Sequence, residues 1–108
     1  MAFNATKKVL QSAAVATGNG NAVSVGGMSK IAIQVVGITV ATVTFEATID
    51  GTNWVSLSGL NVASAAAIST LAADGIFSAT VSGLTSVRAR ISAWTSGTIT
   101  ATAIVSEY

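Results

Sequence analysis

A chain of 108 residues is one domain of ordinary size, long enough to bury a core and too short for two. Hydrophobic residues make up 51% of it and charged residues 8%, which excludes the charge-rich composition of disordered chains, and a net charge of +1 gives no long-range field to gather nucleic acid. The lack of cysteine removes disulfides, thiolate nucleophiles and sulfur metal sites, and the lack of histidine removes the commonest general base.

Residues 1–8 are polar and read as an N-terminal arm, loosely held unless it adds to a sheet or a neighbour, with one domain over residues 9–108. Asn4-Ala5-Thr6 fits a glycosylation sequon, which has meaning only after export. Lys7-Lys8 stand before a short apolar run as in an export signal, but Gln11 and Ser12 interrupt it, so residues 9–16 read as a first strand and no signal peptide is expected. The Asn19-Gly20 and Gly20-Asn21 pairs are turn markers, and a hairpin returning through residues 22–25 is expected. Gly26-Gly27 ends that run.

Residues 30–36 alternate, with Ile31, Ile33 and Val35 on one side and Lys30 and Gln34 on the other. Residues 37–42 are expected to turn into the next strand. That strand has the clearest pattern in the chain: Val43, Phe45, Ala47 and Ile49 alternate with Thr44, Glu46 and Thr48. Asp50-Gly51-Thr52-Asn53 supplies turn chemistry, so a hairpin forms, with Ile49 facing Trp54 and both directed inward with Phe45. In that register Val55 and Leu57 share the face of Thr48 and Glu46, which requires either a parity-shifting bulge or a cover over that face.

Residues 62–73 are alanine-rich and ambiguous; they read as mainly extended, with one short helix as the alternative. The uncharged window 51–73 carries too many Ser and Asn residues for a bilayer-spanning helix. After the Asp74-Gly75 turn, Phe77, Ala79 and Val81 alternate with Ser78 and Thr80. Val87, Ala89, Ile91 and Ala93 then alternate with Arg88, Arg90, Ser92 and Trp94. A turn at Thr95-Ser96-Gly97 leads to Ile99, Ala101, Ala103 and Val105 on one face. About eight strands at roughly ten-residue spacing predict an all-β fold, an antiparallel β-sandwich or jelly-roll-like domain.

The runs F-E-A-T-I-D-G-T-N-W-V-S-L, D-G-I-F-S-A-T-V-S-G-L-T-S-V-R-A-R-I-S-A and T-S-G-T-I-T-A resemble the small β-sandwich structural proteins of tailed bacteriophage virions. The likeness covers residues 43–105, in turn and core signals. It implies a virion location, as a capsid decoration or tail-associated protein. It also implies homo-oligomerisation, with a trimer the first expectation, and a major capsid or tail protein as partner.

The chemistry of the residues points away from catalysis. Glu46, Asp50, Asp74 and Glu107 form no compact carboxylate pair, and Glu46 and Asp50 lie about 13 Å apart on an extended strand. Asp50-Gly51-Thr52-Asn53 lacks the dense acidic ligands of a calcium loop and reads as a turn; no phosphate-cradling loop is present. No cofactor and no metal are expected. The candidate interface residues are Arg88, Arg90 and Trp94, placed on one face by alternation, together with Val55 and Leu57. The competing reading of Arg88 and Arg90 is a strand face neutralised by Glu46. A carbohydrate-binding module, with Trp54 or Trp94 stacking on a sugar, is the alternative function.

Overall fold

A computed structural model describes residues 5–107, and among them there is no helix. The elements are β1 (Ala5–Ala14), β2 (Val23–Ser24), β3 (Lys30–Thr48), β4 (Val55–Ser56), β5 (Gly59–Asn61), β6 (Ala67–Ile68), β7 (Thr70–Leu71), β8 (Gly75–Thr80) and β9 (Ser86–Ser106). The all-β, antiparallel sandwich is therefore present. Two of its strands are far longer than alternation alone suggested.

β3 and β9 pair antiparallel along their whole lengths, from Lys30 opposite Ser106 to Thr48 opposite Ser86. The first half of β3 lies inside a sheet of order β1-β9-β3-β8-β5-β6, whereas its second half is flanked by β9, by β4 and by β7, with β2 beyond β9. One ribbon thus belongs to both layers. The layers meet through the core, where Phe45 from the second half of β3 stacks on Phe77 of β8 with ring centroids 4.0 Å apart and planes 9° from parallel. Ile31, Ile33, Val43, Val87, Ile91 and Ile99 complete the fully buried apolar interior, as their alternation required.

The two turns expected at residues 37–42 and 95–97 are bends inside continuous strands. Register shifts cluster between Val36 and Val43, and Gly37 and Gly97 both take positive φ there, 89° and 121°. A Cβ on Gly37 would collide with the Thr98 carbonyl, and one on Gly97 would lie 2.5 Å from the Gly37 oxygen. Only glycine lets the two backbones approach so closely while both reverse curvature.

The first expected hairpin is also corrected. β1 pairs with the C-terminal half of β9, while β2 pairs with its N-terminal end, so the segment between them crosses from one layer to the other. Gln11, buried, donates from Nε2 to the Ala89 carbonyl at 2.9 Å, and Gly18 exchanges backbone hydrogen bonds with Ile91. These contacts occupy part of the β9 edge that a hairpin partner would have taken. Residues 5–8, expected as an arm, add to the sheet through β1; residues 1–4, and with them Asn4 of the sequon, lie outside the described residues. Residues 62–73, expected as mainly extended, are so only at β6 and β7: residues 62–64 form a turn, Ala65 takes a positive φ of 59° and residues 72–73 form a bend, because short irregular segments carry this stretch between sheet edges, and no helix forms.

Phe77→Ala should destabilise the domain by about 3–5 kcal/mol, because it empties the stack that joins the layers. The same truncation at half-exposed Ile104 should cost far less, and urea denaturation compares the two.

Candidate interaction surface

The hairpin at residues 48–55 forms with a register one residue away from the expected one. Ala47 pairs with Val55 and Glu46 with Ser56, so Ile49 is drawn into the loop and Trp54 comes across from Thr48. Asp50 is the cause. Its Oδ1 accepts from the amides of Thr52 and Asn53, both at 2.8 Å, and from the Thr48 hydroxyl, while Oδ2 accepts from Asn53 Nδ2 at 2.7 Å. These donors, the Asn53 and Thr52 amides foremost, hold the exposed Asp50 carboxyl well below the usual carboxylate range. The parity problem of Val55 and Leu57 disappears with the longer loop. Leu57 donates its amide to the Phe45 carbonyl and packs against the core, whereas Val55 stays 66% exposed.

On the outer face of the second layer, pairing of β3 with β9 sets Glu46 opposite Arg88 and Thr44 opposite Arg90. Glu46 accepts from Arg88 Nε at 2.8 Å and from Arg90 Nε at 3.2 Å, one carboxylate oxygen for each. The Arg88 guanidinium lies 4.1 Å from the centroid of the Trp54 ring, so Trp54 covers a cation on the outer face instead of filling the core. Arg88 is thereby enclosed between a carboxylate and an indole, with a side chain 17% exposed, while Arg90 keeps 39%. Neutralisation by Glu46 is what the structure shows for both arginines.

Trp94 does not share their face. Val43 is opposite Ile91 but Thr42 is opposite Ala93, so β9 carries an extra residue there and the alternation reverses. Trp94 then stands across from Ala41, packs against the core and donates Nε1 to the Gly97 carbonyl at 3.0 Å. A bulge leaves no composition signal, and alternation counted through it gives the wrong side.

The loop and the β8–β9 turn leave an open apolar cleft of about 330 Å³ at the end of the second layer. Ile49, 70% exposed, Val55 and Leu84 form its apolar wall. Arg88 lies on the Trp54 ring, whereas Trp94, partly buried against the core, also lines an open groove with Val40, Thr42 and Ala72. Among the described residues no cluster of three potential metal ligands exists.

This architecture, two long strands folded through both layers, defines an all-β antiparallel sandwich. The chain belongs to the XepA family, whose model matches residues 4–105. Its structure is similar to that of the SPBc2 prophage-derived protein YomS, at 21% identity and a TM-score of 0.88, with 98% of this chain and 96% of that one covered. It is similar also to the PBSX exported protein XepA, at 18% identity and a TM-score of 0.92; 98% of this chain aligns, but it spans only 39% of that protein. Neither name denotes an enzyme. No curated protein matches the chain in sequence.

Replacing Glu46 with Ala should cost about 3 kcal/mol, because it leaves two guanidinium groups facing one another beside an indole. Thermal melting of that variant should also become more salt-dependent. The Asp50 contribution has a definite sign. Its folded-state pKa lies below the unfolded value, so the stabilisation is present above about pH 4 and is lost as pH falls further. Asp50→Ala should melt at lower temperature than the parent at pH 7, with the difference shrinking toward pH 2.

Proposed function

We propose that this protein is a non-enzymatic structural component of a phage particle, which homo-oligomerises and attaches to a capsid lattice, as a decoration protein, or to a tail lattice. The observation that carries the reading is the cleft at the hairpin end. Ile49, Val55 and Leu84 present branched apolar side chains to solvent on a chain with nine formally charged side chains, a desolvation cost that a contact would remove. Family membership and prophage-derived relatives support the phage setting.

Three copies are the first expectation for the assembly. Within it, Val55 and Ile49 form the apolar centre, with Leu57 behind them against the core, and Arg90 a polar rim, because Arg88 is already enclosed. Trp94, which stands opposite Ala41 beside the bend and packs against the core, lies away from this end and outside the contact.

Light scattering across the micromolar range tests the reading. A mass that is a multiple of 10.7 kDa is expected, reduced by Val55→Asp while the circular dichroism spectrum is kept. A parent protein that stays monomeric would refute assembly. Turnover in glycosidase, esterase or nuclease screens, lost in Glu46→Ala, would refute the non-enzymatic part.

A further inference from the structure

The outer face of the first layer carries a second unpartnered surface, at the opposite side of the sandwich from Arg88 and Arg90. Because Ile31, Ile33, Phe77, Ala103 and Val105 point to the core, their neighbours in the ladder point out. Register places Lys7 beside Ile104, and Ile104 beside Ala32, in one cross-strand row. Val9, Thr102, Gln34 and Ile76 form the next row. Val36 and, by continuation of the β3–β8 ladder, Asp74 stand in the third. Val9, Val36, Ile76 and Ile104 are each 37–46% exposed, an apolar patch on a sheet face rather than scattered single residues. Two shallow grooves run over it and share Gln34 and Ile76 as lining.

The charges on this patch are arranged in a particular way. Lys7 stands at one corner and forms no ion pair among the described residues. Asp74 stands at the diagonally opposite corner. Its Oδ1 accepts from the Ile38 amide at 2.8 Å, which leaves Oδ2 for a cation. The corners are separated by three strand spacings, about 14 Å, and by four residues along a strand, about 13 Å. The patch is thus nearly square, with unlike charges at two opposite corners and aliphatic side chains between them.

We propose that this face binds a second copy of the chain across a two-fold axis lying in the contact plane along the other diagonal, near Gln34 and Thr102. A half-turn about that axis exchanges the two corners, so Lys7 of each copy meets Asp74 of the other. The same operation sets Ile76 between Ile104 and Ala32 of the second copy and Val9 against Val36. Because the patch is square, the operation also exchanges strand and cross-strand directions, and the two sheets cross near a right angle, one of the two stable ways sheets pack. A contact in which each residue pair occurs twice is the isologous type that closes instead of propagating. It rests on the homo-oligomer reading above and adds to it, joining two assemblies held at their hairpin ends.

Three substitutions on the full chain test this. Lys7→Glu and Asp74→Lys should each halve the assembled mass in light scattering and raise the dissociation constant about tenfold or more, since each places like charges together twice. The combined exchange should restore the parent mass, which loss of the Asp74 bond to Ile38 alone would not permit. Gln34→Cys, in a chain that has no other cysteine, should be joined into a covalent dimer by a short bis-maleimide, whose reach spans the roughly 10 Å between facing sheets, and Ser82→Cys, off this face, should not. An oligomer indifferent to both charge reversals, or a Gln34→Cys chain that does not cross-link, would overturn this contact while leaving the assembly reading intact. A parent chain that is monomeric throughout would overturn both.

Discussion

The structure depends on the continuous pairing of β3 with β9. Nineteen residues of one strand and twenty-one of the other run together through both layers, so the sandwich is one folded ribbon to which shorter strands are added. Such a ribbon would be straight and one-layered if its hydrogen-bond register were regular. The register shifts between Val36 and Val43 and the paired positive-φ glycines, Gly37 and Gly97, make it double back and bring Phe45 over Phe77. Backbone geometry at two residues therefore decides where the Phe45–Phe77 stack between the layers can form.

Charge is used with the same economy. Of the acidic side chains, Glu46 is committed to two arginines and Asp50 to its own turn. Arg88 is covered by Trp54, which leaves the outer face of the second layer polar and internally satisfied. The apolar exposure is elsewhere, at the hairpin end and on the outer face of the first layer. Polar satisfaction and apolar exposure are thus kept on separate surfaces of the domain, and among its described residues there is no cluster of three potential metal ligands.

The chain belongs to the XepA family and shares its fold with the prophage-derived protein YomS and the exported protein XepA. The near-complete alignment with YomS shows that this unit also occurs at the length found here, while the 39% coverage of the exported protein XepA shows it within a longer chain.

By itself the sequence determined the strand class, the core residues and the turn at Asp50, because period-two alternation and Asx chemistry are local properties that neighbouring residues enforce. Ile31, Ile33, Phe45, Phe77, Val87, Ala89 and Ile99 are all buried as their spacing demands. Only the tertiary structure decided that the segments at Gly37 and Gly97 continue strands instead of ending them, since a glycine permits either a turn or a bulge and the choice rests on the partner backbone alongside. It decided likewise the side on which Trp94 falls, for the bulge after Ile91 is a mismatch between two strands and belongs to neither alone. Trp54 shows the same limit: its place outside the core follows from how Asp50 closes the loop and from an arginine thirty-four positions away, and no local pattern carries that information.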